Sequence, residues 1–106
     1  MQPDILTVTV REGPASSVIL VAAGEIDRDS RDELDRAADE VLSEGVYRLM
    51  IDVAAVSFCD SSGLSLFIDL HRRTRRHDGW LRLVSVPPYL REMLRVTHLD
   101  EMIEIA

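Results

Sequence analysis

The chain has 106 residues, 46% of them hydrophobic and 29% charged, with a formal net charge of −7. That is apolar enough for one domain with a single modest core, and too apolar for a disordered segment. The acidity excludes non-specific nucleic-acid binding, which needs a basic face to displace counterions from phosphates.

In ILTVTVR, residues 5–11, Leu6, Val8 and Val10 alternate with Thr7 and Thr9, the period of a half-exposed strand. EGPAS, residues 12–16, carries Gly-Pro turn chemistry. SVILVAAG, residues 17–24, is continuously apolar and short, as expected of a strand buried on both faces, so the two predict an opening hairpin. Ser30 and Glu33 have the spacing of a capping box. Leu34, Ala37, Ala38, Val41 and Leu42 follow at helical intervals, with Asp32, Asp35, Arg36 and Glu40 opposite and Gly45 at the end.

YRLMIDV, residues 47–53, predicts another buried strand. A second helix follows FCDSSGLSLF, residues 58–67, with Leu64, Phe67, Ile68 and His71 on its inner face and its end near Gly79. WLRLVSV, residues 80–86, predicts a strand headed by Trp80. Pro87 and Pro88 suit the start of a third helix, where a missing N–H costs least. Leu90, Met93 and Leu94 form its inner face, and EMIEIA, residues 101–106, closes as a strand.

The order β-β-α-β-α-β-α-β predicts an α/β sandwich with right-handed crossovers, a mostly parallel central sheet and an antiparallel N-terminal hairpin. No linker, repeat or low-complexity tract interrupts it, so residues 1–106 are expected to form a single domain. The longest apolar run, Val18 to Ala23, is too short to cross a bilayer, and MQPDILTV has no secretory pattern. A cytoplasmic protein that engages no membrane is the expectation.

One cysteine, Cys59, excludes an intramolecular disulfide. With no basic neighbour to lower its pKa, it reads as a buried filler rather than a redox sensor. The three histidines share no ligand spacing, so neither a metal nor a cofactor is expected. HRRTRR, residues 71–76, reads as a solvated helix end complementing the dipole, or as a docking patch for an acidic partner.

Asp60, Ser61, Ser62 and Gly63 leave three readings open. A nucleophilic serine needs a base and oxyanion donors, and the Gly-x-Ser-x-Gly elbow is absent. His71 and His77 lie farther along the same helix, roughly 15 and 24 Å from Ser61 at 1.5 Å per residue, while spacing alone does not exclude His98. A helix cap explains Asp60 and the serines, but glycine in a first turn costs up to about 1 kcal/mol and suggests a close approach to the backbone. A serine displayed at a helix N-terminus is also suited to carry a phosphate.

VSFCDSSGLSLFIDL, following YRLMIDV, resembles the STAS-domain anti-sigma-factor antagonists of bacteria, in which an Asp-Ser-Ser/Thr-Gly-Leu motif opens the second helix. GEID, residues 24–27, and LREMLRVTHLDEMIEI, residues 90–105, extend the resemblance over essentially the whole chain. It implies that Ser61 is phosphorylated by a cognate anti-sigma factor, a serine kinase of the GHKL type that brings its own ATP and magnesium. It also implies a partner-binding surface of Asp27, Asp60, Ser61, Ser62, Gly63 and Leu64, with Ser62 as the neighbouring cap partner of Ser61. The unphosphorylated chain would bind the anti-sigma factor and free the sigma factor, and a phosphatase would restore the binder.

A constitutive STAS scaffold, such as a lipid-transporter subunit or a signalling-complex component, is the alternative role, and neither role is enzymatic. The chain departs from the family at His98, where a glycine or small residue is common. It also stops after the last strand, where relatives often add a fourth helix. A thinner face of the sheet, or self-association as a homodimer, is the expected consequence.

Overall fold

The apolar runs settle into β1 (Thr7–Glu12), β2 (Val18–Ile26), α1 (Arg31–Ser43), β3 (Arg48–Cys59), α2 (Ser61–Arg75), β4 (Trp80–Val84), α3 (Pro88–Val96) and β5 (Glu104–Ile105). A 3-10 turn at Leu99–Glu101 precedes β5. This computed structural model describes residues 5–106. The strand order is β1-β2-β3-β4-β5, with β1 and β2 antiparallel and the later pairs parallel, as the element order predicted. Among the described residues no helix is long and apolar enough to cross a membrane.

Each parallel crossover steps to the next strand in the same direction. Crossovers of one hand that all step the same way place their helices on one face of the sheet. Burial follows this rule. Leu20, Ile51 and Leu83 form one cross-sheet row, fully buried in a core shared with Leu34 and Ala38 of α1, Phe67 and Leu70 of α2, and Leu90 and Leu94 of α3. The adjacent row, Arg11, Ile19, Met50, Arg82 and Glu104, points to the other face and is half-buried or exposed throughout. The strands expected to be buried on both faces are therefore covered on one. An apolar run satisfies either arrangement, and the strand order decides between them.

β3 runs to Cys59, six residues past its predicted end at Val53. Two register shifts against β2, between Val21 and Ala23 and between Gly24 and Glu25, each leave an extra residue on β3. They stretch the inward spacing from two to three, so Val53, Val56 and Cys59 all face the core while Ala54, Ala55, Ser57 and Phe58 stay exposed. Asp52 Oδ1 accepts the Ala54 N–H at 3.0 Å within the first bulge. Loss of the two-residue period hides this half of the strand from a sequence reading, yet it carries the chain to the start of α2.

Arg73, predicted among solvated arginines, instead bridges α2 to α1, with Asp35 at 3.2 Å, Asp39 at 2.6 Å and Asp69 at 3.5 Å. α2 ends at Arg75, short of Gly79. The predicted last strand shrinks to Glu104–Ile105 because Leu99 and Ile103 drop into the core around the 3-10 turn. His98 begins that turn at φ 62° and ψ 16°, the left-handed region that glycine enters without steric cost.

Candidate functional site

β2 and β3 finish side by side, Ile26 opposite Cys59, and two loops leave the same edge of the sheet. The loop after β2 is folded on its own side chains. Asp27 Oδ1 accepts the N–H groups of Asp29 and Ser30, both at 2.9 Å. The Ser30 hydroxyl accepts the Asp27 N–H at 2.9 Å and donates to the Glu25 carbonyl at 2.7 Å. Ser30 therefore closes this loop and makes no side-chain cap, so the predicted capping box does not form. Its hydroxyl is already committed to the end of β2, and the Glu33 carboxylate pairs with Arg36 at 3.2 Å.

The loop after β3 is a single residue. Asp60 is extended at φ −102° and ψ −172°, and its N–H donates to the Ile26 carbonyl at 3.1 Å. Its Oδ1 caps α2, accepting the N–H groups of Ser62 at 2.9 Å and Gly63 at 3.3 Å together with the Ser62 hydroxyl. The Ser62 hydroxyl above all holds the Asp60 carboxyl below its ordinary value; burial, the next largest effect, opposes it, and the Gly63, Ser62 and Arg28 amides add to the lowering. The cap that the sequence left open among three residues thus falls to Asp60, with Ser62 bracing it.

Ser61 is what remains. It is the first residue of α2, it is exposed, and its hydroxyl makes no hydrogen bond to any described residue. The shallow depression beside it is lined by Asp27, Arg28, Asp29, Asp60, Ser61 and Ser62. Three acidic residues and one arginine share the depression with Ser61 and Ser62. Arg31 ties the starts of α1 and α2 together, its Nη1 donating to the Ser62 carbonyl at 3.2 Å.

None of the three histidines lines this depression. His71 is half-buried on α2, its Nδ1 enclosed without a partner among the described residues, and burial, then Arg75 and Arg72, lower its pKa. His77 stacks on Tyr47 with ring centroids 3.9 Å apart, and His98 Nδ1 lies 2.9 Å from Glu101 Oε2. Among the described residues no histidine shares the depression with Ser61, so the serine–histidine pair of a nucleophilic serine is not formed.

Gly63 has the close approach that its place in the first turn implied. It is buried, and a Cβ on it would lie 2.5 Å from Cys59 Sγ and 2.9 Å from Ile26 Cγ2. The close approach inferred from a glycine in the first turn is made from inside the protein, by the ends of β2 and β3. Leu64 is likewise buried in the core. Of the six residues assigned to partner binding, Asp27, Asp60, Ser61 and Ser62 present side chains at the surface, whereas Gly63 and Leu64 shape the helix start from beneath. Cys59 is buried, and burial, with Asp60 adding to it, pushes its thiol up to about 12.

The family described as "Mlab, STAS domain" matches residues 9–104. The chain belongs to the STAS-domain family. The STAS sandwich carries its Asp-Ser-Ser-Gly-Leu stretch at the N-terminus of α2, where the resemblance in sequence led one to look. Among similar proteins, the anti-sigma-B factor antagonist of Listeria monocytogenes is 28% identical over 101 residues, covering 94% of this chain and 88% of that protein. The crystal structure of an anti-sigma factor antagonist from Mycobacterium paratuberculosis superposes with a TM-score of 0.87 at 26% identity, over 98% of this STAS domain and 87% of that chain. The Bacillus cell fate determinant SpoIIAA in its phosphorylated form shares the fold, with a TM-score of 0.74 at 20% identity over 94% and 91% of the two chains.

Proposed function

We propose that this STAS domain is an anti-sigma-factor antagonist, and that phosphorylation of Ser61 switches its binding off. The observation that carries the reading is the Ser61 hydroxyl, exposed and bonded to no described residue at the start of α2 while Asp60 and Ser62 beside it are fixed. The names of the similar proteins support the antagonist role. The partner is an anti-sigma factor that is also a serine kinase of the GHKL type, supplying ATP and magnesium, and a phosphatase reverses the modification. The surface that binds it is built by Asp27, Asp60, Ser61 and Ser62 over the Gly63–Leu64 turn.

Phosphorylation adds about −1.5 to −2 charges at neutral pH. On Ser61 that charge stands among Asp27, Asp29 and Asp60, and the Ser62 and Gly63 amides that would otherwise face it are taken by the Asp60 carboxylate. The helix dipole and Arg28 offset part of this repulsion. A surface complementary to the free serine therefore meets added bulk and negative charge. Because the Ser61 hydroxyl is bonded to no described residue, the modification leaves the sandwich intact.

Intact-mass spectrometry after incubation with candidate anti-sigma kinases and Mg-ATP tests this, run also on Ser61→Ala and Ser62→Ala. A single phosphate absent only from Ser61→Ala is expected, and Ser61→Glu keeps its circular dichroism while losing the partner. A recovered partner that never adds mass overturns the switch. That outcome favours a constitutive STAS scaffold, a second reading for which the description of the matching family, by Mlab rather than by an antagonist, speaks.

A further inference from the structure

Parallel sheets occur almost only with both faces covered, because their apolar strands need burial on each side. Here β2 to β5 are parallel, and the described helices all lie on one face. The other face carries Ile19, Val21, Met50 and Val84, each only half-buried, around Asp52 on the central strand. Its charges balance: Arg11, Arg48 and Arg82 stand against Glu25, Asp52 and Glu104. The chain carries −7, so its net negative charge resides elsewhere, and this is the face on which two copies repel least.

We infer that the bare face of the sheet is the contact between two copies of this chain, packed face to face about a two-fold axis. The cross-sheet row Arg11, Ile19, Met50, Arg82, Glu104 has opposite charges at its two ends, on β1 and on β5. An axis parallel to the strands and running along β3 lays β1 of one copy over β5 of the other, so Arg11 approaches Glu104 of the second copy, twice, joining the ion pair that Glu104 already makes with its own Arg82. Val21 then faces Val84 of the second copy and Met50 meets its counterpart. Such aligned packing of sheets is common, with the inner faces about 10 Å apart.

The same axis lays the outward residues of β3 over their own copies, so the two Asp52 carboxylates and the two Arg48 guanidinium groups approach as like charges, and Ile19 lies over Arg82 of the second copy, all opposing contributions. Five strands at about 4.8 Å spacing and about five residues of ~3.3 Å give a footprint of roughly 400 Å² per copy, about half the ~800 Å² of a standard interface. The dimer is therefore expected to be a weak one. It leaves Ser61, on the helix side of the sheet, free to engage a partner.

Sedimentation velocity of the full chain across the micromolar range tests this. The expected result is a concentration-dependent shift to twice the monomer mass, abolished by Val21→Arg with circular dichroism unchanged. Val84→Arg serves as the second variant if Val21→Arg does not fold. Asp52→Asn keeps an acceptor for the Ala54 N–H and removes the like charges, so it tightens the dimer several-fold. A folded monomer at every concentration overturns the inference and leaves the face to another occupant. A dimer that both arginine variants leave untouched overturns the surface, and one that Asp52→Asn does not tighten overturns the axis.

Discussion

Gly63→Ala separates an internal from an external reason for the glycine in the Asp-Ser-Ser-Gly-Leu stretch. Gly63 is not in the left-handed region, so alanine meets no backbone obstacle there. The added methyl carbon would lie 2.5 Å from Cys59 Sγ and 2.9 Å from Ile26 Cγ2, and both neighbours are buried and held in paired strands. Overpacking of this kind costs about 1–3 kcal/mol. Alanine recovers up to about 1 kcal/mol over glycine through helix propensity. The net is a destabilisation of about 1 kcal/mol or somewhat more, equivalent to a fall in Tm of about 4–8 °C.

Thermal and urea denaturation followed by circular dichroism read this directly. Cys59→Ala removes the sulfur that the methyl would strike, so the double variant Cys59→Ala/Gly63→Ala is expected to be less destabilised than the sum of the single ones by about 1 kcal/mol. A Gly63→Ala protein that is as stable as the parent, or more so, yet fails to bind its partner would refute the packing argument. It would return Gly63 to the docking surface.

Asp60→Ala removes the carboxylate that satisfies the Ser62 and Gly63 amides, and a stability loss of about 1 kcal/mol is expected in urea denaturation at neutral pH. Because the Asp60 carboxyl is held below its ordinary value, its contribution is present above the unfolded aspartate pKa and is lost as pH falls through the lower folded value. The gap between parent and variant should close in acid, and a gap that is constant with pH would contradict the cap. The Cys59 thiol, buried and pushed up to about 12, should not react with a disulfide reagent at neutral pH until denaturant is added. Rapid labelling of the native protein would show that the floor beneath Gly63 opens.

The order of strands and helices was legible in the sequence because it rests on local periodicity and punctuation. Leu34 to Leu42, Leu90 to Leu94 and the Gly-Pro turn each declare their element without reference to any other. The start of α2 was legible for the same reason, since a cap is decided within four residues. Everything that required two distant segments to meet was settled by tertiary structure. Whether SVILVAAG is covered once or twice depends on the direction in which three crossovers step. The second half of β3 is shaped by bulges against β2, Ser30 gives up its capping box for the end of β2, and Gly63 is glycine because Ile26 and Cys59 close beneath it. Ser61 could be picked out by its motif, but the motif did not tell which hydroxyl Asp60 takes; it is that of Ser62, and that of Ser61 is bonded to no described residue.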